Sequence, residues 1–320
     1  MNIEKIIPLA KGIIKKLFVK RNFDKSTSGT ISSRYCYSVW LRHLSMAYES
    51  GLKNIPHTIA ELGPGDSFGI GLTALLTGAS NYYVLDVHKF WNLERNIQIF
   101  DELVQLLRNR TPIPDNNEFP RVTPALKDYS FPAHILSDEH LEYTLSEERL
   151  QKIRKELTSL ENQENNNIIR YFIPWNNNEN IENGTVDMIF SQAVLQYVND
   201  LDDTYAHMES WLKVGGLMSH SIDFSSHKIT KSWNGHWTFS ELEWKLIHGN
   251  SKIVLNRIPQ SMHLQLNKKY GFDVINKMDY KKENHFKNKN FSKQFRNLSP
   301  EDSSIIVSVI QSIKVKSEII

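Results

Sequence analysis

Apolar runs and amphipathic helical patterns alternate along most of the chain, and this alternation predicts an α/β fold. The apolar runs predict strands at residues 58–60, 82–85, 168–173, 185–190, 217–224, 272–275 and 303–313. Apolar positions at helical spacing predict helices at residues 3–21, 34–51, 70–76, 90–107, 137–160 and 195–211. Strands joined by helices form parallel sheets, in which ligands bind at the carboxyl ends of the strands.

The stretch from residue 58 to residue 86 contains the clearest ligand-binding pattern. A first apolar run ends at Glu61, a turn with Gly63 and Gly65 follows, and a second apolar run ends at Asp86. Glycines let the backbone approach a ligand closely. An acid at the end of the second strand can accept hydrogen bonds from a ribose diol. The stretch therefore predicts one βαβ unit with a nucleotide-type site at its carboxyl edge.

The same stretch argues against a phosphate ligand. Glu61 places a negative charge directly before the glycine turn, and no Gly-Lys-Ser or Gly-Lys-Thr follows. In the dinucleotide-binding pattern the third glycine would fall on Phe68. A ligand with a cationic end and no phosphate suits this turn better.

At these residues the chain resembles the class I S-adenosylmethionine-dependent methyltransferases. Their first motif, acid-x-Gly-x-Gly, is similar to residues 61–65, and their second acid corresponds to Asp86; Ser67 stands where a further glycine is common. A second block is similar to the family's fourth-strand motif: Val-Asp-Met-Ile-Phe-Ser-Gln-Ala-Val-Leu-Gln-Tyr-Val, at residues 186–198. A helix and then Leu-Lys-Val-Gly-Gly follow it, as before the family's fifth strand. The resemblance covers roughly residues 31–229.

The resemblance implies a Rossmann-like sheet of seven strands with helices on both faces and a reversed last strand between the fifth and the sixth. It implies S-adenosyl-L-methionine as cofactor. We expect the following residues to contact it: Glu61, Gly63 and Gly65 at the methionine end, Asp86 at the ribose with Val87 beside it, Trp175 at the adenine, and Ser191 and Gln192 towards the reacting methyl group. Residues 35–44 are similar to the start of a bacterial subgroup associated with surface-polysaccharide or small-molecule modification.

The candidates for a catalytic base lie at the end of the fifth predicted strand. Alternation places His220 on one face of this strand and Asp223 on the other. Asp223 can orient His227, which would take a proton from a substrate hydroxyl. His220 has an equally good interpretation as a hydrogen-bonded core histidine. A metal site formed by His220, Asp223, His227 and His236 is a further alternative, although we expect none.

The regions outside the motifs predict the domain organisation of the chain. We expect N-terminal helices in residues 1–52 and a methyltransferase domain in residues 53–320, with an insertion at 108–164 that forms a helical cap or a surface excursion. Residues 3–21 predict a basic amphipathic helix, which either packs on the domain with its lysines in solvent or contacts a membrane surface or a partner. Aromatic residues at 233–244 suit either a sugar ring or an ordinary domain cover.

Composition narrows the functional class. The chain has 320 residues, a formal net charge of +2 and one cysteine, Cys36, which fits a reducing cytoplasm and excludes an internal disulfide. The basic stretch 281–296 contains three phenylalanines, but the balanced charge favours a solvated loop over nucleic-acid binding. We expect a cytoplasmic enzyme, with peripheral contact at the inner membrane as an open alternative.

The predicted reaction is O-methylation of a small molecule or a glycan. The alternatives are a protein or RNA methyltransferase and a non-catalytic module that binds the cofactor. Residues 191–194 lack the Asn-Pro-Pro-Tyr type of motif found in many amino-directed methyltransferases.

Overall fold

Seven strands form one sheet in the computed structural model, which describes residues 3–18, 29–160, 168–175, 181–249, 251 and 253–316. The strands are β1 (Thr58–Leu62), β2 (Asn81–Leu85), β3 (Ile169–Phe172), β4 (Val186–Gln192), β5 (Leu212–Asp223), β6 (Phe272–Lys281) and β7 (Ile305–Lys314). Their order is β3-β2-β1-β4-β5-β7-β6. The pairs among β1 to β5 are parallel, whereas β7 is antiparallel to both neighbours. The predicted α/β sheet with a reversed strand between the fifth and sixth is therefore confirmed.

The helices are α1 (Ile3–Phe18), α2 (Ser33–Glu49), α3 (Gly69–Leu76), α4 (Leu93–Arg108), α5 (Asp138–Thr144), α6 (Glu147–Thr158), α7 (Leu201–Trp211), α8 (Glu241–His248) and α9 (Gln260–Lys269). The helix predicted at 195–211 is divided into a 3₁₀ turn at Leu195–Tyr197 and α7. The division arises because the Asp200 side chain accepts a hydrogen bond from the Asp203 amide and caps α7 there. The sequence patterns did not predict α8 or α9.

The centre of the sheet is buried on both faces. Every residue of β1 is buried, as expected for a parallel strand between two helical layers. Trp40 of α2 packs against Phe190 on one face, while Trp211 of α7 and Leu266 of α9 belong to the apolar cluster on the other. The chain runs from β1 outward through β2 and β3, and then returns to β4 on the opposite side of β1. This reversal leaves a crevice at the carboxyl ends of β1 and β4, where open α/β sheets bind their ligands.

The insertion packs on α2 and α3. Arg42, fully buried in α2, donates hydrogen bonds to the backbone carbonyls of Pro114, Val122 and Pro124. Arg149 of α6 donates to the carbonyls of Leu75 in α3 and of Ala79 in the loop that follows it. The helix predicted at 137–160 is present as two helices, α5 and α6. Residues 108–160 cover this helical layer and none of them lines the cavity described below, which favours the surface excursion over the cap.

Helix α1 docks on α8, but not with the orientation expected from its pattern. Among residues 4–14, whose burial is described, Pro8 and Gly12 are buried, whereas Ile6 and Ile13 are exposed. The sequence favoured packing through the apolar side with the lysines in solvent. In the structure these isoleucines do not pack on the domain. Residues 19–21 of the predicted helix lie outside the described part of the chain.

Candidate active site

The glycine turn after β1 closes against the residues that follow β4. Gly63 and Gly65 have φ angles of +65° and +74°, which side chains disfavour. The Gly63 amide donates to the Leu85 carbonyl at 2.8 Å and so connects the turn to the end of β2. A Cβ atom at Gly63 would lie 2.7 Å from the Val194 side chain. Glycine is thus required at this position for both its conformation and the space available.

Asp86 presents a carboxylate beside this turn. It is 6% exposed, and its Oδ1 accepts a hydrogen bond from the Val87 amide at 2.7 Å. Burial raises its pKa to about 6, although hydrogen bonds from the amides of Val87, His88 and Gly65 favour the ionised form. Asp86 is therefore an oriented acceptor at the edge of the sheet.

Glu61 lies beneath the turn rather than in front of it. It is 2% exposed, accepts a hydrogen bond from the Tyr82 hydroxyl, and is not among the residues that line the cavity. Burial raises the pKa of Glu61 to about 8, opposed by hydrogen bonds from Tyr82 and from the Gly71 backbone. A Cβ atom at Gly71 would collide with the Tyr82 ring, so this glycine brings α3 close enough to β2 to enclose the carboxyl group.

One cavity of about 790 Å³ runs along the carboxyl edge of the sheet. Its lining includes residues at or just beyond the carboxyl ends of five adjacent strands, in the spatial order Trp175, Asp86, Gly63, Gln192 and His227. Adjacent strands lie about 4.8 Å apart, so four steps across the sheet span roughly 19 Å. The cavity is therefore long enough for an extended ligand with a second molecule beside it.

The lining of this cavity is acidic. Four carboxylates contribute to it: Asp66, Asp86, Asp200 and Asp203. No lysine or arginine is among the described lining residues, whose only basic side chains are three histidines. A cavity of this composition favours a cationic or neutral ligand and disfavours a phosphate.

His227 lies between Tyr197 and Asp223 at the β5 end of the cavity. Its Nδ1 is 2.9 Å from the Tyr197 hydroxyl, and its Nε2 is 3.5 Å from Asp223 Oδ2. Burial, and next the charge of Asp223, raise the pKa of Tyr197 to about 12, so its phenol stays protonated. Tyr197 and His227 line the cavity, whereas Asp223 lies behind them. The structure thus brings two of the three predicted catalytic residues together.

The third, His220, points elsewhere. It is 2% exposed, its Nδ1 lies 2.8 Å from the Ser191 hydroxyl, and neither residue lines the cavity. Burial lowers the pKa of His220 to about 3, so its ring is neutral. The neighbouring Gln192 does line the cavity, and its Oε1 lies 3.0 Å from Nε2 of His43. The geometry of His220 matches the core interpretation.

The four residues considered as metal ligands do not converge. His236 packs against Trp237, with ring centroids 4.6 Å apart, while His220 pairs with Ser191. Across the described residues, no group of three or more His, Cys, Asp or Glu side chains is placed to hold a metal ion.

The aromatic residues after β5 pack in two apolar clusters, and their own side chains do not line the cavity. Trp233 and Trp237 pack with Phe286 and Phe291 from the basic stretch. Phe239 and Trp244 belong to a separate cluster below α1. None of these six side chains lines the cavity. Their arrangement matches a domain cover rather than a sugar platform, and it places two of the three phenylalanines of the basic stretch in the interior.

Sequence reasoning missed three residues of the cavity wall. Thr30 covers the glycine turn: its hydroxyl accepts a hydrogen bond from the Asp66 amide at 3.1 Å, and its carbonyl accepts one from Ser67. Tyr35 lines the cavity from α2. Tyr197 was assigned to a helix, although its position five residues beyond β4 is a signal for a residue at the carboxyl edge.

No protein-family model matches the chain, and no curated protein matches it. Solved structures with a similar fold include an S-adenosylmethionine-dependent methyltransferase from Mesorhizobium loti, with 13% identity, a TM-score of 0.41, and coverage of 87% of this chain and 98% of that one. Geranyl diphosphate C-methyltransferase from Streptomyces coelicolor has 12% identity, a TM-score of 0.43, and coverage of 86% and 76%. Phosphoethanolamine N-methyltransferase 2 from Haemonchus contortus has 12% identity, a TM-score of 0.43, and coverage of 93% and 61%. These identities and scores are low, so the assignment of an activity depends on the geometry of the site.

Proposed function

We propose that this protein transfers the methyl group of S-adenosylmethionine to a hydroxyl group of a small molecule or a glycan. The observation that carries the proposal is the acidic cavity, which extends from Asp86 and the glycine turn to the pair Tyr197 and His227. It joins a site suited to a cationic nucleoside with a site suited to proton transfer.

The lining residues fit the cofactor. Asp86 would accept hydrogen bonds from the ribose hydroxyls, the turn at Gly63 and Gly65 would leave space for the methionine portion, and Trp175 would border the adenine. The acidic lining suits the positive charges of the sulfonium and the ammonium group. Gln192 and Val87 complete the wall on either side. Glu61 and Ser191 lie behind this wall, so we assign them a supporting role.

The chemistry requires alignment and the removal of one proton. When bound, S-adenosylmethionine supplies a methyl group that its sulfonium charge has already activated. The protein must hold the acceptor oxygen in line with that methyl group and exclude water. A hydroxyl acceptor also loses its proton as the new C–O bond forms, so a base near the β5 end of the cavity is needed.

Tyr197 and His227 can carry this proton. The phenol of Tyr197 donates to Nδ1 of His227, so its oxygen is free to accept the proton from the acceptor hydroxyl as its own proton passes to the imidazole. Asp223, 3.5 Å from Nε2, stabilises the imidazolium that results. The proton balance closes: the acceptor loses one proton, His227 gains one, and Tyr197 remains a phenol.

The test is turnover. The full chain is incubated with S-adenosylmethionine and separate panels of sugars, small phenols and alcohols, peptides, and RNA, and formation of S-adenosylhomocysteine is measured. The proposal predicts product with a hydroxyl acceptor from the first two panels. Product only with peptides or RNA would support the alternative macromolecular activity, and cofactor binding without turnover on any panel would support a non-catalytic module.

A further inference from the structure

Helix α1 carries a band of apolar residues on the side that faces solvent. Four isoleucines share this side: Ile6 is 43% exposed, Ile7 50%, Ile13 46% and Ile14 55%. At 100° per residue they fall within one band of the helix, with the exposed Ala10 between them. A surface helix normally buries such a band, so this orientation leaves an apolar surface without a partner within the described part of the chain.

The opposite side of α1 is fixed to the domain. A Cβ atom at Gly12 would collide with the backbone carbonyl of Leu246, so the backbones of α1 and α8 are in close contact there. Lys5 forms an ion pair with Glu243 at 3.1 Å, and Glu4 accepts a hydrogen bond from the Ser232 hydroxyl at 2.8 Å. Rotation of the helix to bury its isoleucines would break these contacts. The contacts between α1 and the domain therefore hold the apolar band towards solvent.

The charge around the band indicates what would cover it. Lys11 is exposed beside the band, and the sequence adds further basic residues, which are Lys15, Lys16, Lys20 and Arg21. The one acid in residues 3–21, Glu4, is turned towards the domain. An exposed apolar band on a helix in a lysine-rich segment is the pattern of a helix that lies in the headgroup region of an anionic membrane. No helix in the described residues has the length and apolar character to cross a bilayer.

We propose that α1 holds this protein on an anionic membrane surface, with its four outward isoleucines inserted at the boundary of headgroups and acyl chains. The inner side of α1 reaches the catalytic region: Leu9 packs on the apolar cluster of Phe239, Trp244, Ile247 and Leu255, which Tyr197 also contacts. Membrane binding therefore occurs close to the β5 end of the cavity. The proposal is independent of the activity proposed above, since the band and its charges exist whatever the cavity binds.

The test is co-sedimentation of the full chain with vesicles of phosphatidylcholine alone and of phosphatidylcholine with phosphatidylglycerol. We expect binding to the anionic vesicles, a clear reduction of that binding at high salt, and little binding to the neutral ones. The double variant Ile6→Ser/Ile13→Ser should weaken partitioning by about tenfold or more. The matched control is Val214→Ser, which removes an equally exposed apolar side chain, 55% exposed, on β5. Far-ultraviolet circular dichroism checks that each variant remains folded.

Three results would overturn the proposal. The first is absence of binding to anionic vesicles by folded protein. The second is equal loss of binding in Val214→Ser and in the double isoleucine variant, because the band would then have no special role. The third is a dimer in light scattering that the isoleucine substitutions dissociate, which would assign the band to a second copy of the chain.

Discussion

The Tyr197 hydroxyl lies 2.9 Å from Nδ1 of His227, and the other ring nitrogen lies 3.5 Å from a carboxylate oxygen of Asp223. If the phenol donates to Nδ1, the neutral ring carries its proton on Nε2, the nitrogen that lies 3.5 Å from Asp223. In that tautomer the phenol oxygen of Tyr197, a residue that lines the cavity, keeps its capacity to accept a hydrogen bond. This relationship changes the role expected from the sequence, in which His227 itself would meet the acceptor.

Removal of either member of this pair should reduce turnover without reducing cofactor affinity. We expect His227→Ala and Tyr197→Phe each to lower kcat on the true acceptor by about 10²- to 10⁴-fold, the usual contribution of a positioned base. The measurement is steady-state kinetics together with calorimetric titration of S-adenosylmethionine. The control is His134→Ala, an exposed histidine in the insertion, which should leave both quantities unchanged.

The two variants also separate the roles of the residues. If Tyr197→Phe retains full turnover while His227→Ala loses it, the imidazole meets the acceptor directly and the relay through the phenol is wrong. Unchanged turnover in both variants would remove this pair from the mechanism altogether.

Cofactor affinity should decrease in acid. The pKa of Asp86 is about 6 because of burial, and only the ionised carboxylate accepts two hydrogen bonds from a ribose diol. Affinity should thus be constant above about pH 7 and fall below pH 6, approaching about tenfold per pH unit. Calorimetric titration between pH 5 and 8 measures this profile. If the cofactor affinity of Asp86→Asn fell in the same way below pH 6, another group would be responsible for the pH dependence.

Glu61 should make the protein less stable as the pH rises. Burial raises its pKa from 4.5 to about 8, so the folded state retains this proton more tightly than the unfolded state does. Its contribution to stability is fully present below pH 4.5 and is lost as the pH rises through 8. Glu61→Gln should abolish this part of the pH dependence, which amounts to no more than about 5 kcal/mol.

Urea unfolding at several pH values between 4.5 and 9 measures this difference. Comparing Glu61→Gln with the wild-type protein at each pH separates the contribution of Glu61 from that of Asp86. Asp86 is present in both proteins, and its raised pKa changes stability in the same direction. Parallel curves for the two proteins would contradict the assignment.

A side chain at Gly63 should damage the site in two separable ways. Gly63→Ala places a Cβ atom 2.7 Å from Val194 and requires alanine at a φ of +65°. The conformation alone costs about 1 to 2 kcal/mol. The double variant Gly63→Ala/Val194→Ala removes the collision but not the conformational cost, so it should recover part of the lost stability and cofactor affinity. No recovery in thermal unfolding or titration would mean that Val194 does not limit the space at the turn.

The positions of the parallel strands were predictable because strands buried on both faces leave continuous apolar runs, whereas the reversed strand was expected only from the family resemblance. Thr58–Leu62 and Val186–Gln192 are of this kind, and each ends at a recognisable turn. Helices α8 and α9 were missed because they are short and their neighbouring residues are aromatic or polar without clear periodicity. The orientation of α1 could not be predicted from the sequence either. The close approach of α1 to α8 depends on a long-range contact between Gly12 and the α8 backbone, which the helical pattern does not encode.

The candidate site was predictable only where a local motif defined it. The glycine turn and Asp86 follow from one βαβ unit, and the spacing of Asp223 and His227 placed them at one strand end. The place of Tyr197 depends on the 3₁₀ turn, which ends at the extended residue Val198 before the Asp200 cap begins α7. The direction of Glu61 depends on how closely Gly71 lets α3 approach Tyr82, which no strand pattern determines.

The most direct test of the central claim is calorimetric titration of the full chain with S-adenosylmethionine at pH 7.5, beside Asp86→Asn. The account predicts saturable binding to one site and an affinity at least about tenfold lower in the variant, because one bidentate acceptor for the ribose is lost. Folded wild-type protein that binds no S-adenosylmethionine, or an Asp86→Asn variant that binds it equally well, would contradict the account.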